Sequence, residues 1–324
     1  MMEMAGAVEK VIAGDVRTVA RLIRDIDDKV PEVREVLKDL YAHTGRAYVI
    51  GITGAPGVGK STLVDQMVNH YRKQGKTVGV LAVDPTSPFT GGAILGDRIR
   101  MQRHSLDDGV FIRSLATRGH FGGLTESTRS AIDVLDAMGK DYVIVETVGV
   151  GQDEVDVVKS AQTTVVMVIP GMGDDIQAIK AGILEVGDVF LINKADREGA
   201  EKTYNDLRQM IDMGHNKYGG NKWKPPILKA EAIFDRGVTE LLETIEKHRD
   251  YLLQSSQGKD LAKRRERVRE DLAEMVKSRL IEEVMERLIE SGEFDRAVDA
   301  IAAGETDPYS ACDDLVVSKL GALK

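Results

Sequence analysis

The stretch from residue 47 to residue 63 places the strongest limit on how this chain can fold. It reads AYVIGITGAPGVGKSTL, in which an apolar run enters a turn of the form Gly54-x-x-x-x-Gly59-Lys60-Ser61 and a helix-like segment follows. A phosphate-binding loop requires this order of strand, glycine-rich loop and helix. Glycines let backbone N–H groups surround a polyphosphate, and the helix N-terminus adds donors and partial positive charge. The stretch therefore predicts a site for a nucleoside polyphosphate rather than a chance glycine-rich turn.

The residues of this loop have different predicted roles. Lys60 is expected to reach the β- and γ-phosphates, where it would stabilise developing charge as a catalytic residue. The Ser61 hydroxyl is expected to ligand Mg²⁺. The predicted nucleotide contacts of the loop are Gly54, Ala55, Pro56, Gly57, Val58, Gly59, Lys60, Ser61 and Thr62.

Composition narrows the class of protein further. The 324 residues carry a net charge of −9, which argues against non-specific nucleic-acid binding because such binding needs a basic face. Cys312 is the single cysteine, so the chain can form neither an internal disulfide nor a cysteine-based zinc cluster, which suits a reducing compartment. The sequence has no apolar run of about 18 residues and no signal-peptide pattern at its start. We therefore expect a cytoplasmic protein that binds neither membrane nor nucleic acid.

Strand-like and helix-like segments alternate through the middle of the chain. Predicted strands cover residues 48–53, 77–83, 110–114, 142–146, 164–169, 189–193 and 227–229. Predicted helices cover residues 60–73, 124–138, 175–184, 198–213 and 238–253. Several strands are nearly continuous apolar runs, which indicates that helices cover both faces of the sheet. The pattern predicts an α/β fold with a doubly wound, mainly parallel sheet that binds ligands at the carboxyl ends of its strands.

The same pattern divides the chain into three regions. Residues 1–45 are expected to form a helical extension, either a packing appendage or a surface for a partner, and residues 46–256 the phosphate-loop domain. Residues 257–324 form a helical arm whose long charged helix, at 258–290, carries one apolar stripe. A helix of that length rarely buries its stripe alone, so the arm is a candidate for dimerisation. Its basic run at 263–265 is interleaved with acids and is interpreted as a solvated face.

A second nucleotide motif follows the predicted strand at 189–193. The pattern Asn193-Lys194-Ala195-Asp196 is typical of loops that recognise guanine. The Asp196 carboxylate can accept the N1–H and the exocyclic amine of guanine, a pair of donors that adenine lacks in that arrangement. Asn193 would hold the base-binding loop in place, and the Lys194 stem would lie along the ring. Together with the phosphate loop, this motif favours GTP and GDP over ATP.

Carboxylates near strand ends are candidates for the metal site. Glu146 ends a predicted strand, where it can hold the Mg²⁺ shell and also act in catalysis, and Gly149 can donate its N–H to the γ-phosphate. Asp84 and Asp97 are two further carboxylates that could approach the metal, but Asp84 can also simply start a turn before a proline. Gln152 is a candidate for orienting the attacking water.

Other polar residues carry weaker expectations. The arginines that could stabilise the transition state are Arg98, Arg113 and Arg118, and the sequence does not choose among them. The glycine-rich loops at 118–123 and 171–175 either move when the nucleotide changes or are flexible connectors. Asp133 and Asp136 are expected to be surface charges on one helix, and the histidines show no metal-ligand spacing.

Together these motifs resemble the MeaB/ArgK-type GTPases. The resemblance covers nearly the whole chain and rests on the segments GITGAPGVGKSTL, DPTSPFTGGAILGDRIRM, RGHFGGL, ETVGVGQDE, PGMGDDIQAIKAGI and NKAD, in that order. It implies a GTPase of the signal-recognition, MinD and BioD (SIMIBI) class that dimerises through its C-terminal helices. It also implies a chaperone of adenosylcobalamin-dependent acyl-CoA mutases, chiefly methylmalonyl-CoA mutase, that gates cofactor loading and protects the mutase.

The resemblance also implies roles for particular residues. Asp84, Asp97 and Glu146 would surround Mg²⁺. The switch regions would be residues 98–101, 150–154 and 174–182, the last of which contains the switch lysine Lys180.

Two departures from the family pattern stand out. The last base-contacting loop reads Leu228-Lys229-Ala230-Glu231 where relatives commonly have Ser-Ala, so Ala230 is left to present its backbone N–H to guanine. Ala181 stands where a second basic residue often follows the switch lysine, which would alter coupling to the partner.

Two other functions fit the sequence less well. A metallochaperone GTPase for metal insertion would need a cluster of histidines and cysteines, and the single cysteine argues against it. A nucleotide-dependent kinase need not read guanine, so the motif at 193–196 counts against it.

Overall fold

The computed structural model describes residues 6–84, 102–104, 106–116, 123–147, 160–171, 187–217 and 223–320. The chain divides into two compact units, Met1–Gln257 and Gly258–Lys324. The first unit contains the sheet and the motifs at its edge.

Seven strands of the described residues form one parallel sheet. They are β1 (Tyr48–Gly54), β2 (Val78–Asp84), β3 (Val110–Ala116), β4 (Tyr142–Thr147), β5 (Thr163–Val168), β6 (Val189–Asn193) and β7 (Ile227–Ala230). Their spatial order is β3-β2-β4-β1-β5-β6-β7, and each neighbouring pair is parallel. This confirms the predicted doubly wound α/β fold, with β1 and its phosphate loop at the centre of the sheet.

The described residues also form helices, several of which cover the two faces of the sheet. They are α1 (Ala7–Ile12), α2 (Val16–Asp27), α3 (Val33–Tyr41), α4 (Lys60–Lys73), α5 (Gly123–Ala137), α6 (Ala200–Lys217), α7 (Val238–Glu290), α8 (Glu293–Ala302) and α9 (Pro308–Leu320). Short 3₁₀ turns occur at Gln102–His104 and Ala232–Phe234. The predicted helix at 175–184 lies outside the described residues. In the part of the chain that is described, no helix is long and apolar enough to span a membrane.

The prediction of two separate helices at 238–253 and 258–290 was wrong. Residues 238–290 form the single helix α7, which has 53 residues. The segment QSSQG, residues 254–258, spans the boundary between the two predicted helices. It contains no proline, however, and one glycine inside a helix costs only about 1 kcal/mol relative to alanine. Local propensity was therefore too weak to end the helix.

Each face of the sheet has its own apolar core. On one face the β-strands pack against α4 and the first turns of α7, where Leu63, Met67 and Leu241 are fully buried. The other face is covered by α5 and by the three N-terminal helices, which bury residues such as Leu22 and Ile23 completely. The apolar side chains of the N-terminal helices thus form part of the core within the chain.

Asp136 contradicts the expectation that it is a surface charge. Its side chain is buried near the C-terminal end of α5 and accepts hydrogen bonds from the backbone N–H groups of Gly45, Arg46 and Ala47. These residues connect α3 to β1, so one carboxylate holds the linker between the N-terminal helices and the central strand. Charged acceptors of this kind stabilise backbone donors that would otherwise be buried without partners.

Candidate functional site

The phosphate loop joins β1 to α4 at the carboxyl edge of the sheet. Gly54 and Gly59 hold the loop in a shape that other residues resist, with φ of 149° and 99°. A Cβ on Gly54 would lie 2.4 Å from the Met167 carbonyl oxygen of β5. A Cβ on Gly59 would lie 2.5 Å from the Asn193 side-chain nitrogen at the end of β6. Glycine at both positions therefore allows the loop to pack tightly against its two neighbours.

The Lys60 side chain folds back onto the loop that precedes it. Its ammonium group donates to the carbonyl oxygens of Gly54, at 2.6 Å, and Ala55, at 3.1 Å. Only 6% of Lys60 is exposed, so the loop surrounds the charge. The ammonium therefore lies within the loop that is predicted to bind the phosphates.

The side chains of Ser61 and Glu146 contact each other at the start of α4. The Ser61 hydroxyl donates to Glu146 Oε1 at 2.7 Å, and both residues are buried. β4 carries Glu146 next to Ile52 of β1 and Ala82 of β2, so the sheet itself brings the carboxylate to the first turn of α4. Hydroxyl and carboxylate oxygens are the ligands that Mg²⁺ prefers, and this pair fits the predicted metal.

The described residues contain no larger metal-binding group to compete with this pair. Among them, no cluster of three or more histidine, cysteine, aspartate or glutamate side chains is arranged to hold a metal ion. A small ion at Ser61 and Glu146 would complete its shell with water and phosphate oxygens, as Mg²⁺ commonly does at nucleotide sites.

The guanine motif lies directly against the phosphate loop. Asn193 is almost fully buried at the end of β6, and its amide donates to the Val58 carbonyl at 2.7 Å. Lys194 has φ of 54°, and its ammonium donates to the Gly57 carbonyl at 2.8 Å. The side chain of Asp196 remains exposed beyond them. Two motifs more than a hundred residues apart in the sequence are thus joined by direct hydrogen bonds, while the acid predicted to read the base faces outward.

The last predicted base contact, Ala230, is the final residue of β7 and is buried. Its carbonyl accepts a hydrogen bond from Ala195 N at 3.1 Å, inside the guanine motif. Ala232, which the sequence reasoning did not single out, donates its backbone N–H to Asn193 Oδ1 at 3.0 Å. Asn193 thus holds the phosphate loop with one end of its amide and the turn after β7 with the other. Only its position two residues beyond a strand could have pointed to Ala232.

A tight loop after β7 fixes this turn to the phosphate-loop helix. Glu231 and Arg236 form a β-bridge and an ion pair of 3.0 Å across the loop. Asp235, which has φ of 58°, contacts His70 Nε2 of α4 at 2.7 Å. These contacts join the loop after β7, which itself contacts the guanine motif, to the phosphate-loop helix.

Several predicted site residues lie outside the described part of the chain. They are Asp97, Gly149, Gln152, the switch segments with Lys180, and the candidate arginines Arg98 and Arg118. Asp84 ends β2, where its backbone pairs with Ala116 of β3, but its side chain also lies outside the description. Arg113 is a residue of β3. The roles predicted for these residues stay predictions.

Comparison with known proteins identifies what this chain resembles. Residues 19–288 match the family model described as "Methylmalonyl Co-A mutase-associated GTPase MeaB". A protein of Pyrococcus abyssi named as a GTPase is 49% identical over 314 residues, which cover 97% of this chain and 96% of that protein. The mouse protein named "Methylmalonic aciduria type A homolog, mitochondrial" is 34% identical over 211 residues, or 64% of this chain and 50% of that protein.

One solved structure matches the fold along nearly the whole length. It is the crystal structure titled "LAO/AO transport system kinase", with a TM-score of 0.69, 23% sequence identity and coverage of 98% of both chains. At this level of identity the likeness concerns the fold alone, and it agrees with the parallel sheet and flanking helices described above.

Proposed function

Since the chain belongs to the MeaB family of methylmalonyl Co-A mutase-associated GTPases, we propose that it is the GTP-dependent chaperone of an adenosylcobalamin-dependent acyl-CoA mutase. The chain is a GTPase, as its family and relatives are. The proposal adds that methylmalonyl-CoA mutase is the partner, that GTP hydrolysis gates cofactor loading, and that the chaperone protects the mutase from inactivation. A cytoplasmic location, suggested by the single cysteine, belongs to the same proposal.

The observation that carries this proposal is the direct contact between the two nucleotide motifs. Lys194 donates to Gly57 and Asn193 donates to Val58. We therefore expect a change in the loop around the phosphates to move the loop around the base as well. Such a site can report the state of its nucleotide to the rest of the molecule. A protein that signals to a partner needs this property more than it needs fast turnover.

Hydrolysis depends mainly on positioning and charge neutralisation, because phosphoryl transfer to water needs little covalent chemistry from the protein. We propose that Lys60 exchanges its two carbonyl contacts for the β- and γ-phosphates, and that Gly149 donates its N–H to the γ-phosphate. Gln152 is proposed to orient the water. Asp196 accepts the two guanine donors, and the backbone N–H of Ala230 faces the guanine oxygen in this proposal.

Ser61 and Glu146 are proposed to hold Mg²⁺, together with Asp97 and Asp84. When bound, the ion would neutralise charge on the β- and γ-phosphates. Its support is the 2.7 Å contact between the Ser61 hydroxyl and the Glu146 carboxylate, two buried oxygen ligands at the start of the phosphate-loop helix. Both side chains would have to give up this hydrogen bond, at least in part, to ligand the ion.

The helical arm is proposed to form a homodimer. Within the unit 258–324, α7 exposes several large apolar side chains at three- and four-residue spacing. They are Val268, Leu272, Met275, Val276 and Leu280, each at least 44% exposed. A row of this kind supports pairing with a second helix, because burial of apolar area is the main driving force of association.

A retention experiment tests the partner. The full chain, immobilised and loaded with GDP or with a non-hydrolysable GTP analogue, is mixed with purified methylmalonyl-CoA mutase. We expect the mutase to be retained several-fold more in one nucleotide state than in the other. Equal retention in both states, or no retention in either, would contradict the proposed chaperone role without affecting the assignment as a GTPase.

Labelled nucleotide tests the kinase alternative. With GTP labelled at the γ-phosphate, we expect the label to appear as inorganic phosphate. Transfer of label to a protein or a small molecule instead would favour a kinase.

A further inference from the structure

Two ion pairs join the C-terminal half of α4 to different parts of the domain. His70 Nε2 lies 2.7 Å from Asp235 Oδ1, in the loop after β7. Two residues later, Arg72 Nη2 lies 2.8 Å from Asp107 Oδ1, in the segment before β3. Residues two apart lie on different faces of a helix, so one stretch of α4 contacts two separate segments. The two pairs therefore provide an internal comparison.

The contact between His70 and Asp235 is partly shielded from water. The His70 side chain is 19% exposed and the Asp235 side chain is 35% exposed. An ionised carboxylate can only accept a hydrogen bond, so the imidazole donates through Nε2. Asp235 has φ of 58°, a conformation that aspartate and asparagine adopt more often than most other side chains. Aspartate at this position therefore suits both the turn of the backbone and the contact with the imidazole.

The loop that carries Asp235 is closed by hydrogen bonds within itself. Glu231 N donates to the Arg236 carbonyl at 3.0 Å, and Arg236 N donates to the Glu231 carbonyl at 3.3 Å. Inside the loop, Asp235 N donates to the Ala232 carbonyl at 3.2 Å. We call residues 231–236 the closed loop. Because these bonds connect Asp235 to Ala232, we expect a displacement of one of them to displace the other.

Ala232 connects the closed loop to the guanine motif. Its backbone N–H donates to Asn193 Oδ1 at 3.0 Å. The other end of the Asn193 amide donates to the Val58 carbonyl of the phosphate loop at 2.7 Å. A continuous series of contacts therefore runs from His70 through the closed loop to Asn193.

Helix α4 thus has a contact with each half of the predicted nucleotide site. Its first residues, Lys60 and Ser61, belong to the phosphate loop, and His70 holds the closed loop beside the guanine motif. Successive turns of an α-helix are joined by hydrogen bonds, so α4 keeps its two ends at a fixed distance. The His70 contact therefore helps to set where the guanine motif lies relative to the phosphate loop.

The second ion pair of α4 lacks this connection. Arg72 contacts the Asp107 carboxylate and donates to the Lys76 carbonyl. Asp107 in turn accepts a hydrogen bond from Gly109 N. These partners belong to neither nucleotide motif, so the pair stabilises α4 against the start of β3.

We propose that His70 and Asp235 are positioning residues that determine the preference for guanine nucleotides. The inference rests on the proposed recognition of guanine by Asp196. The pair holds the closed loop, and through it Asn193, so that the guanine motif keeps its place beside the phosphate loop. Without the pair, the phosphate loop would keep its own contacts while the guanine motif would be held less well. Affinity for the diphosphate would then persist, and selection of the base would weaken.

Affinities for GDP and ADP test the inference, because the two nucleotides share ribose and diphosphate and differ in the base. Both affinities are measured with the full chain by competition against a fluorescent GDP analogue. H70L removes the imidazole donor and leaves an apolar side chain. We expect it to lower GDP affinity about tenfold, as for the loss of one hydrogen bond with a charged partner. Its ADP affinity should stay close to that of wild type, so the ratio of the two affinities should fall.

Two further variants separate positioning from stability. H70Q should restore most of the preference for GDP, because the glutamine amide can place an N–H near the position of Nε2. R72M breaks the neighbouring ion pair of α4 and is the matched control. We expect R72M to leave the ratio of GDP to ADP affinity unchanged, although it lowers the melting temperature.

The aspartate provides a second route to the same test if H70L does not fold. D235N keeps a residue that tolerates the positive φ but removes the carboxylate charge. Its amide oxygen can still accept from the imidazole, so the ratio should fall in the same direction by a smaller factor. An unchanged ratio in D235N would then count against the positioning role.

The outcomes distinguish the inference from the proposal on which it rests. If wild type prefers GDP and H70L keeps the same ratio, the positioning role is overturned and recognition of guanine by Asp196 stands. Equal losses of GDP and ADP affinity in H70L also overturn it, because the pair would then only stabilise the fold. The same holds if R72M lowers the ratio as much as H70L does. If wild type does not prefer GDP to ADP, recognition of guanine and this inference both fail.

Discussion

The two edges of the sheet use polar residues in opposite ways. At the carboxyl edge, the polar groups of the nucleotide motifs contact one another: Lys60 binds carbonyls of its own loop, and Ser61 binds Glu146. At the amino edge, the first residues of three neighbouring strands enter a continuous network with α7. Tyr48 of β1 binds Thr163 of β5 at 2.6 Å, and Thr163 binds His248 at 2.8 Å.

The amino-edge network continues through aromatic rings. Tyr142 of β4 donates to Glu246 of α7 at 2.8 Å, and its ring stacks on Tyr71 of α4 with centroids 4.0 Å apart. Arg249 of α7 lies over the Tyr48 ring at 5.0 Å. Burial, followed by the contact with Glu246, raises the pKa of Tyr142 above its usual value. The Tyr142 phenol therefore stays neutral and hydrogen-bonded through the physiological range of pH.

The two edges differ in whether a ligand can replace their contacts. One sheet can therefore contain an edge that stabilises the fold and an edge that responds to ligand binding. Contacts at the carboxyl edge occupy atoms that the proposed nucleotide and the proposed metal would use, so we expect ligand binding to replace them. Contacts at the amino edge join strands to a helix, and no proposed ligand competes for them. Substitutions at the carboxyl edge should therefore change binding with little effect on stability, and substitutions at the amino edge should do the reverse.

The largest expected effect is that of D196N at the carboxyl edge. An amide cannot accept both guanine donors, so GTP affinity should fall about 100-fold, which corresponds to about 2.7 kcal/mol. The variant should bind xanthine nucleotides better than guanine nucleotides, because xanthine offers an oxygen where guanine has its amine. Binding is measured by titration calorimetry, with the exposed Asp39→Asn as the control. Unchanged GTP affinity in D196N would show that Asp196 does not read the base.

The next largest expected effect is that of E146Q, which removes the carboxylate charge at the proposed metal site but keeps the size and shape of the side chain. Glutamine can still accept the Ser61 hydrogen bond, so the fold should be kept. Loss of the carboxylate charge should weaken Mg²⁺ binding about tenfold or more. The measurement is a Mg²⁺ titration of the GDP-bound protein beside a thermal melt without metal. If E146Q melts well below wild type but binds Mg²⁺ normally, Glu146 is a structural residue only.

Much of the carboxyl edge could be predicted from the sequence, because its chemistry requires particular residues at short spacing. Gly54, Gly59 and Lys60 lie within seven residues, and Asn193 to Asp196 are consecutive. Strands such as β4 and β6 were predicted because they are apolar on both faces. Contacts between the motifs, such as Asn193 with Val58, could not be predicted, because residue spacing does not show which distant residues meet in the fold.

The amino edge was not predicted, for a physical reason. Tyr48, Thr163 and His248 are single residues about a hundred positions apart, and each alone is compatible with many environments. Their meeting depends on strand order and on α7 crossing the strand ends, which are tertiary properties. The prediction for Asp136 was wrong for the same reason, since its three backbone partners lie 89 to 91 positions away in the sequence.

The smallest expected effect concerns the amino edge at high pH. Burial raises the pKa of Tyr48 to about 12, from a usual value of 10.0. The folded state therefore favours the neutral phenol, and the stability this contributes is present below pH 10 and is lost between pH 10 and about 12. Y48F cannot ionise at this position. We expect it to be less stable than wild type at pH 8 by about 1 kcal/mol, the usual net value of one hydrogen bond.

As the pH rises from 10 to 12, the stability difference between wild type and Y48F should shrink. Only wild type carries the Tyr48 phenol, which loses its proton less readily in the folded chain than in the unfolded chain. Urea unfolding at several pH values measures this difference. Tyr41, which is 65% exposed at the end of α3, provides the control, since Y41F should follow wild type at every pH. GTP affinity at pH 8 should be the same in all three proteins. A fall in GTP affinity in Y48F would show that the two edges are coupled through β1 rather than independent.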